Sequence, residues 1–190
     1  MPMEQKLIQL LRYVVDFNDQ NLQTLLPYFK PFVAKKNNVL LHQGEICRNF
    51  YFVVDGCIRT YFISKEGYEK TRYIMLAPSM GTALTSFINQ QPTAEILDAP
   101  EDSSMFAIDY TDFKNLVLTM PQWAQFYQRI LEMAYTFQNK KIESLVTLSA
   151  KQRYQQLMQE NPAIIQTLSN KIVASYLDMA QETLSRLKSK

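Results

Sequence analysis

The chain contains only four glycines, Gly44, Gly56, Gly67 and Gly81, and all of them lie in one stretch. Glycine is the residue that adopts positive φ and tolerates close backbone approach without penalty. Its confinement to one region of a Gly-poor chain predicts a turn-rich β unit there and helices elsewhere. The segments around the glycines agree: PFVAKK, VLLH, NFYFVVD, CIRTYFIS and EKTRYIML are short and rich in Val, Ile, Tyr and Phe, the composition of strands. They are punctuated by Asn37-Asn38, Gly44-Glu45, Asp55-Gly56 and Glu66-Gly67. Asp55-Gly56 between two β-rich runs predicts a hairpin. Strands at this even spacing read as an antiparallel sandwich or barrel. After Gly81 the pattern predicts a short helix at ALTSFIN and weak strands near AEILDA and SSMFAI.

Helical periodicity flanks this unit. Leu7, Leu10, Leu11 and Val14, then Leu22, Leu25, Leu26 and Phe29, recur at helical spacing over residues 4–15 and 20–29, with Asn18 and Asp19 placed to cap the second helix. Asp109 is placed to cap DYTDFKNLVLT, and Pro121 to open a long helix reaching about Leu148. Along it Trp123, Phe126, Ile130, Met133 and Phe137 repeat at 3–4 spacing. That stripe fits either packing on its own domain or a seam between two copies. The seam is favoured, because so long a helix outruns the small β unit beside it. Ser149 and Gln152 form a Ser-x-x-Gln capping box for a further helix, which Asn161-Pro162 ends.

Composition excludes several classes. The longest stretch without charge, Tyr73 to Ala94, contains two prolines and many polar residues, so it is no membrane span. The acid-bearing N-terminus reads as an amphipathic helix rather than a secretion signal, and the expected location is the cytoplasm. Cys47 and Cys57 are too few for a disulfide framework and are expected to be buried thiols. His42 is the single histidine, too little for a His-rich metal site, and it is read as structural. Gly-x-Ser-x-Gly, Walker and His-Glu-x-x-His patterns are all missing from the sequence. Enzymatic activity is therefore not expected, and neither a metal nor a cofactor is implied. Residues 151–190 hold six Lys/Arg against three Asp/Glu, whereas residues 1–150 hold 14 against 15. The basic end permits a nucleic-acid partner.

That basic end reads NKIVASYLDMAQETLSRLKS. Val173, Leu177, Met179, Leu184 and Leu187, with the small Ala174 between the first two, are spaced for two short helices crossing steeply around a tight turn. The second helix would expose Gln181, Glu182, Thr183, Ser185, Arg186 and Lys188, side chains able to reach base edges or phosphates. Asp178 stands at the turn position that usually holds glycine, and Ala180 where a capping hydroxyl is expected. Both departures weaken the motif and motivate an alternative: a sensor or protein-interaction protein with a degenerate helix-turn-helix and no specific DNA binding.

The order of β-roll, long helix and C-terminal helix-turn-helix resembles the bacterial cyclic-AMP receptor and fumarate–nitrate regulator (CRP/FNR) family. Gly44-Glu45, Phe50-Tyr51-Phe52-Val53-Val54 and Asp55-Gly56-Cys57-Ile58-Arg59 resemble its Gly-Glu…Tyr-Phe-Ile-x-x-Gly-x-Val-Arg run. VASYLDMAQETLSRLK resembles its recognition segment. The resemblance implies an α+β fold: an N-terminal antiparallel β-roll (a jelly-roll-like double-stranded β-helix) with flanking helices, a long dimerisation helix and a helical DNA-binding domain. It divides the chain into a sensor domain at 1–120, a connecting helix at 121–148 and a helix-turn-helix domain at 149–190. It implies a homodimer on double-stranded DNA, with RNA polymerase as a further partner. Gln181, Glu182 and Arg186 would contact bases, and Thr183, Ser185 and Lys188 would hold phosphates. The family's phosphate cassette, Gly-Glu-x-x-Leu followed by Arg-Ser-Ala, is altered here: Thr82 follows Gly81, and Pro92-Thr93-Ala94 replaces the Arg triplet. A buried phosphate without its cation is costly, so cyclic AMP is not expected to bind. Gly81, Thr82, Ala83, Thr93 and Ala94 remain as a vestigial or repurposed pocket for another small-molecule effector, or as a filled one with no effector.

Overall fold

The computed structural model describes residues 1–189. In chain order the elements are α1 (Met3–Val14), α2 (Asp19–Leu25), β1 (Lys30–Ala34), β2 (Val39–Leu41), β3 (Asn49–Asp55), β4 (Cys57–Ile63), β5 (Glu69–Leu76), β6 (Ser79–Gly81), α3 (Leu84–Asn89), β7 (Ile96–Asp98), β8 (Ser103–Asp109), α4 (Tyr110–Thr119), α5 (Pro121–Thr147), α6 (Ala150–Glu160), α7 (Pro162–Thr167), α8 (Asn170–Tyr176) and α9 (Gln181–Lys188). The fold is α+β, with its eight strands in two four-stranded sheets ordered β1-β8-β3-β6 and β2-β7-β4-β5. The pairings of β1 with β8, β3 with β8, β3 with β6 and β2 with β7 are antiparallel.

Local chemistry sets most boundaries. The Asn18 side chain accepts from the Asn21 amide, and that of Asp109 from the Thr111 amide. Ser149 and Gln152 close both halves of the capping box. Each cap satisfies amides that a helix start otherwise leaves unpaired. Helix α2 stops at Leu25 and passes into one 3-10 turn, Leu26–Tyr28, that contains Pro27, short of the expected end at 29. Pro162 ends α6 and also opens α7, a short helix that periodicity did not announce.

Asp55-Gly56 corrects an expectation. It is not a hairpin: β3 lies in one sheet and β4 in the other, so the chain changes sheets there. Gly56 has φ +78°, and a Cβ at this position would meet the Asp102 carbonyl oxygen at 2.4 Å. Only glycine fits a corner that close to a neighbouring chain segment. The hairpin lies one connection later, between β4 and β5, where the Ser64 amide donates to the Tyr68 carbonyl at 2.8 Å.

The chain forms two compact units. The first contains Met1–Thr60 and Ile74–Glu132. Its core is aromatic: Phe17, Phe50, Phe52, Phe87, Phe113, Trp123 and Phe126 are all fully buried. Trp123 stacks on Phe126 at 4.7 Å and donates its indole N–H to the Phe113 carbonyl at 3.2 Å. The second unit contains Tyr61–Tyr73, the far end of the β4–β5 hairpin, together with the chain from Met133 onward.

Candidate nucleic-acid interface and effector region

In the second unit α8 and α9 form the two helices of the expected motif. Val173, Ala174, Leu177 and Leu184 are buried between them, with Met179 and Leu187 half-buried. The small Ala174 carbonyl accepts the Met179 amide at 3.0 Å across the turn. Asp178 occupies the turn with φ +48°, the left-handed geometry that Asp tolerates better than most residues. Ala180 stands at the N-cap of α9 without a side-chain cap. The turn therefore forms despite both departures.

Cations close the turn from outside. Arg153 on α6 donates to the carbonyls of Leu148 at 2.7 Å, Leu177 at 2.8 Å and Asp178 at 3.1 Å. Lys141 on α5 donates to the Tyr176 carbonyl, and its ammonium lies 3.6 Å from the centre of the Tyr176 ring. These are the carbonyls that a helix end leaves unpaired, where cations are favoured. Burial, aided by Arg153, pushes the Lys141 ammonium down to about 8. Burial likewise pushes the Tyr176 phenol up to about 12.

Helix α9 turns its polar face outward. Gln181, Glu182, Ser185, Arg186 and Lys188 are exposed, and Thr183 is half-buried. Arg186 makes one weak bond, to the Glu182 carbonyl at 3.4 Å. Lys188 is more committed, donating to the Asn170 side chain at 2.7 Å and to the Ile165 carbonyl at 3.4 Å.

In the first unit the five expected pocket residues are mostly engaged with the chain itself. Gly81 lies in β6 opposite Tyr51. The Thr82 hydroxyl donates to the Asn49 carbonyl at 2.7 Å and lies 2.9 Å from the Cys47 sulfur. Ala83 is fully buried and Ala94 exposed. The Thr93 hydroxyl accepts the Glu95 amide at 2.9 Å, while its backbone bonds Gly44 and Glu45, each at 2.8 Å. None of the five lines the cavity of about 460 Å³ formed by residues of β2, the following loop and β3, including Glu45, Arg48 and Tyr51.

One feature of this unit escaped the sequence. Arg59 on β4 and Asp98 at the end of β7 form a buried two-pronged ion pair, at 2.9 and 3.0 Å. Cys47 and Cys57 are both buried, and burial pushes the Cys57 thiol up to about 12. Thiols so protonated are poor nucleophiles. His42 is exposed, and its amide donates to Glu45 at 2.7 Å. Among the described residues no cluster of metal-ligating side chains occurs and no helix is long and apolar enough to cross a membrane.

The stripe expected along the long helix is divided. Trp123, Phe126 and Ile130 are 0, 0 and 7 % exposed in the chain. Phe137 packs edge-on against Tyr73 at 4.6 Å in the second unit. Of the five expected seam residues only Met133 is well exposed. The exposed apolar stripe of α5 is instead Tyr135, Ile142, Leu145 and Val146. At 3.6 residues per turn it lies roughly a third of a turn away from the buried face.

Residues 31–120 match the family model of the cyclic nucleotide-binding domain. Solved structures share the fold of this chain. FixK2 from Bradyrhizobium japonicum superposes with a TM-score of 0.71 at 16% identity, over 85% of this chain and 83% of that one. A CooA variant from Carboxydothermus hydrogenoformans gives 0.67 at 21% identity, over 93% and 84%. A protein from Eubacterium rectale described as a crp/fnr-family transcriptional regulator gives 0.70 at 18% identity, over 90% and 82%. No curated protein sequence matches.

Proposed function

We propose that this protein is a cytoplasmic, DNA-binding transcription regulator of the CRP/FNR type. It divides functionally into a sensor domain at 1–120, a connecting helix at 121–148 and a DNA-binding domain at 149–190. The observation that carries this reading is α8–turn–α9, closed around Asp178 with the polar face of α9 outward. In a two-fold symmetric site, recognition helices of two copies would enter major grooves about one helical turn, roughly 34 Å, apart. Gln181, Glu182 and Arg186 read bases, with Arg186 to guanine the strongest contact. Thr183, Ser185 and Lys188 hold phosphates, Lys188 after leaving Asn170. The homodimer forms along α5 through Tyr135, Ile142 and Leu145 rather than through Trp123, Phe126 and Ile130. RNA polymerase is the further partner of such a regulator.

The sensor domain does not use cyclic AMP. Its Thr82 and Thr93 hydroxyls already bond the chain's own backbone, and Pro92 offers no cation. A phosphate would have to break those bonds and enter unneutralised. The domain serves another small-molecule effector or none.

The test is a gel shift against genomic promoter fragments, including the protein's own, at low salt. Arg186→Ala should weaken specific binding by about 1–3 kcal/mol, roughly five- to 150-fold. No affinity in the wild type, or none lost in the variant, would refute the reading. Calorimetry with cyclic AMP should show no binding heat.

A further inference from the structure

We propose that Lys70, Ser175 and Asp178 are positioning residues of a polar seat that fixes the helix-turn-helix against the end of the β4–β5 hairpin, and so sets where α9 points. The inference rests on the DNA-binding reading above. All the residues concerned lie within the second compact unit. Lys171, Ser175 and Asp178 follow one another at i, i+4 and i+7, one face of α8 and its turn. They meet three consecutive hairpin residues, Glu69, Lys70 and Thr71.

At the centre, the Ser175 hydroxyl donates to the Glu69 carbonyl at 2.8 Å and accepts the Thr71 amide at 2.7 Å. It also lies 3.0 Å from the Thr71 hydroxyl, and Thr71 is buried. On either side stand ion pairs of opposite polarity. Lys171 meets Glu69 at 2.5 Å, and Asp178 meets Lys70 at 2.7 Å. The Lys70 bond also holds the Asp178 carboxyl below its ordinary range.

Crossed polarity makes the seat directional. Sliding α8 towards the other end would bring Lys171 to Lys70, or Asp178 to Glu69, and like charges in contact exclude the wrong register. Exposed ion pairs contribute little stability, so the seat acts on orientation rather than on folding. It also accounts for an acid where a turn of this kind favours glycine. Glycine would suit φ +48° better, but it could not reach Lys70.

The experiment uses the full chain with Asp178→Gly, Lys70→Met and the double variant. Asp178→Gly relieves the turn and therefore folds. Two readouts apply: hydrogen exchange of segments 66–73 and 174–181, and affinity for a DNA fragment across a salt series. Each single variant should speed exchange in both segments roughly two- to fivefold, the scale of one exposed ion pair. The double variant should go no further than either single. DNA affinity should fall over the same range with an unchanged salt slope, because neither residue is assigned to phosphate. If Asp178→Gly slows exchange at the turn and leaves the hairpin untouched, Asp178 serves only the turn and the seat is refuted. Additive effects in the double variant, or looser exchange with wild-type DNA affinity, would likewise overturn it. A wild-type protein without DNA affinity would sink the DNA-binding reading, and the positioning role with it, whereas coupled exchange would still establish the seat.

Discussion

Phe126 separates the two roles that the stripe on α5 could have. It is fully buried, stacked on Trp123 at 4.7 Å and within 6.0 and 6.1 Å of the Phe17 and Phe52 rings. Truncation to alanine removes a ring from a core that cannot fully close around the gap, which costs about 3–5 kcal/mol for Phe→Ala. A chain of this size loses roughly 2–4 °C per kcal/mol, so Phe126→Ala should melt roughly 6–20 °C lower. Ile142 provides the contrast, since it is 58% exposed on the other face. Ile142→Glu should leave the unfolding of the isolated chain nearly unchanged but abolish self-association. The assay is thermal unfolding by circular dichroism at two concentrations tenfold apart, with sedimentation velocity on the same samples. If Phe126→Ala melts within about 2 °C of the wild type and sediments as a monomer, the core assignment is wrong and the seam lies on the Trp123 face.

Two further outcomes follow from buried charge. Asp98→Ala removes the carboxylate that meets Arg59 at 2.9 and 3.0 Å and should cost about 3–5 kcal/mol in urea unfolding, most of it recovered by Arg59→Met with Asp98→Leu. A loss under about 1 kcal/mol would place the pair in a solvated site. Lys141, held down to about 8 against an ordinary 10.5, lacks a proton between those values that the unfolded chain still binds. Stability therefore rises with pH across that window through this group. Wild type minus Lys141→Met, compared in paired melts at about pH 7.5 and 9.5, should grow more favourable at the higher pH, and a constant difference would exclude the shift.

What was legible in the sequence is what depends on neighbours along the chain. Asn18, Asp109 and the Ser149–Gln152 box cap helices as expected, because a cap needs only the next three residues. Gly44, Gly56 and Gly67 all take positive φ, so their clustering did mark the turns of the β unit. What each turn does was not legible. Asp55-Gly56 carries the chemistry of a hairpin, yet it makes a corner between sheets, and only the distant Asp102 and Ser103 decide that. The repeat along α5 was likewise real, but periodicity gives a face and not its partner. Phe17, Phe52 and Phe113 claim that face, and nothing near residue 126 in sequence announces them.

Asp178 sets a local cost against a non-local gain. Judged by its neighbours it is a flaw, an acid in a left-handed turn ahead of an uncapped helix. Its carbonyl, however, accepts from Arg153 at 3.1 Å and its carboxylate from Lys70 at 2.7 Å, residues 25 and 108 positions away. Those bonds require the turn to be where it is, so the acid informs on tertiary placement. Thr82 and Thr93 follow the same logic: their hydroxyls bond Asn49 and Glu95 of the chain itself, so a polar residue at an unexpected position is judged by the partners that the fold brings to it.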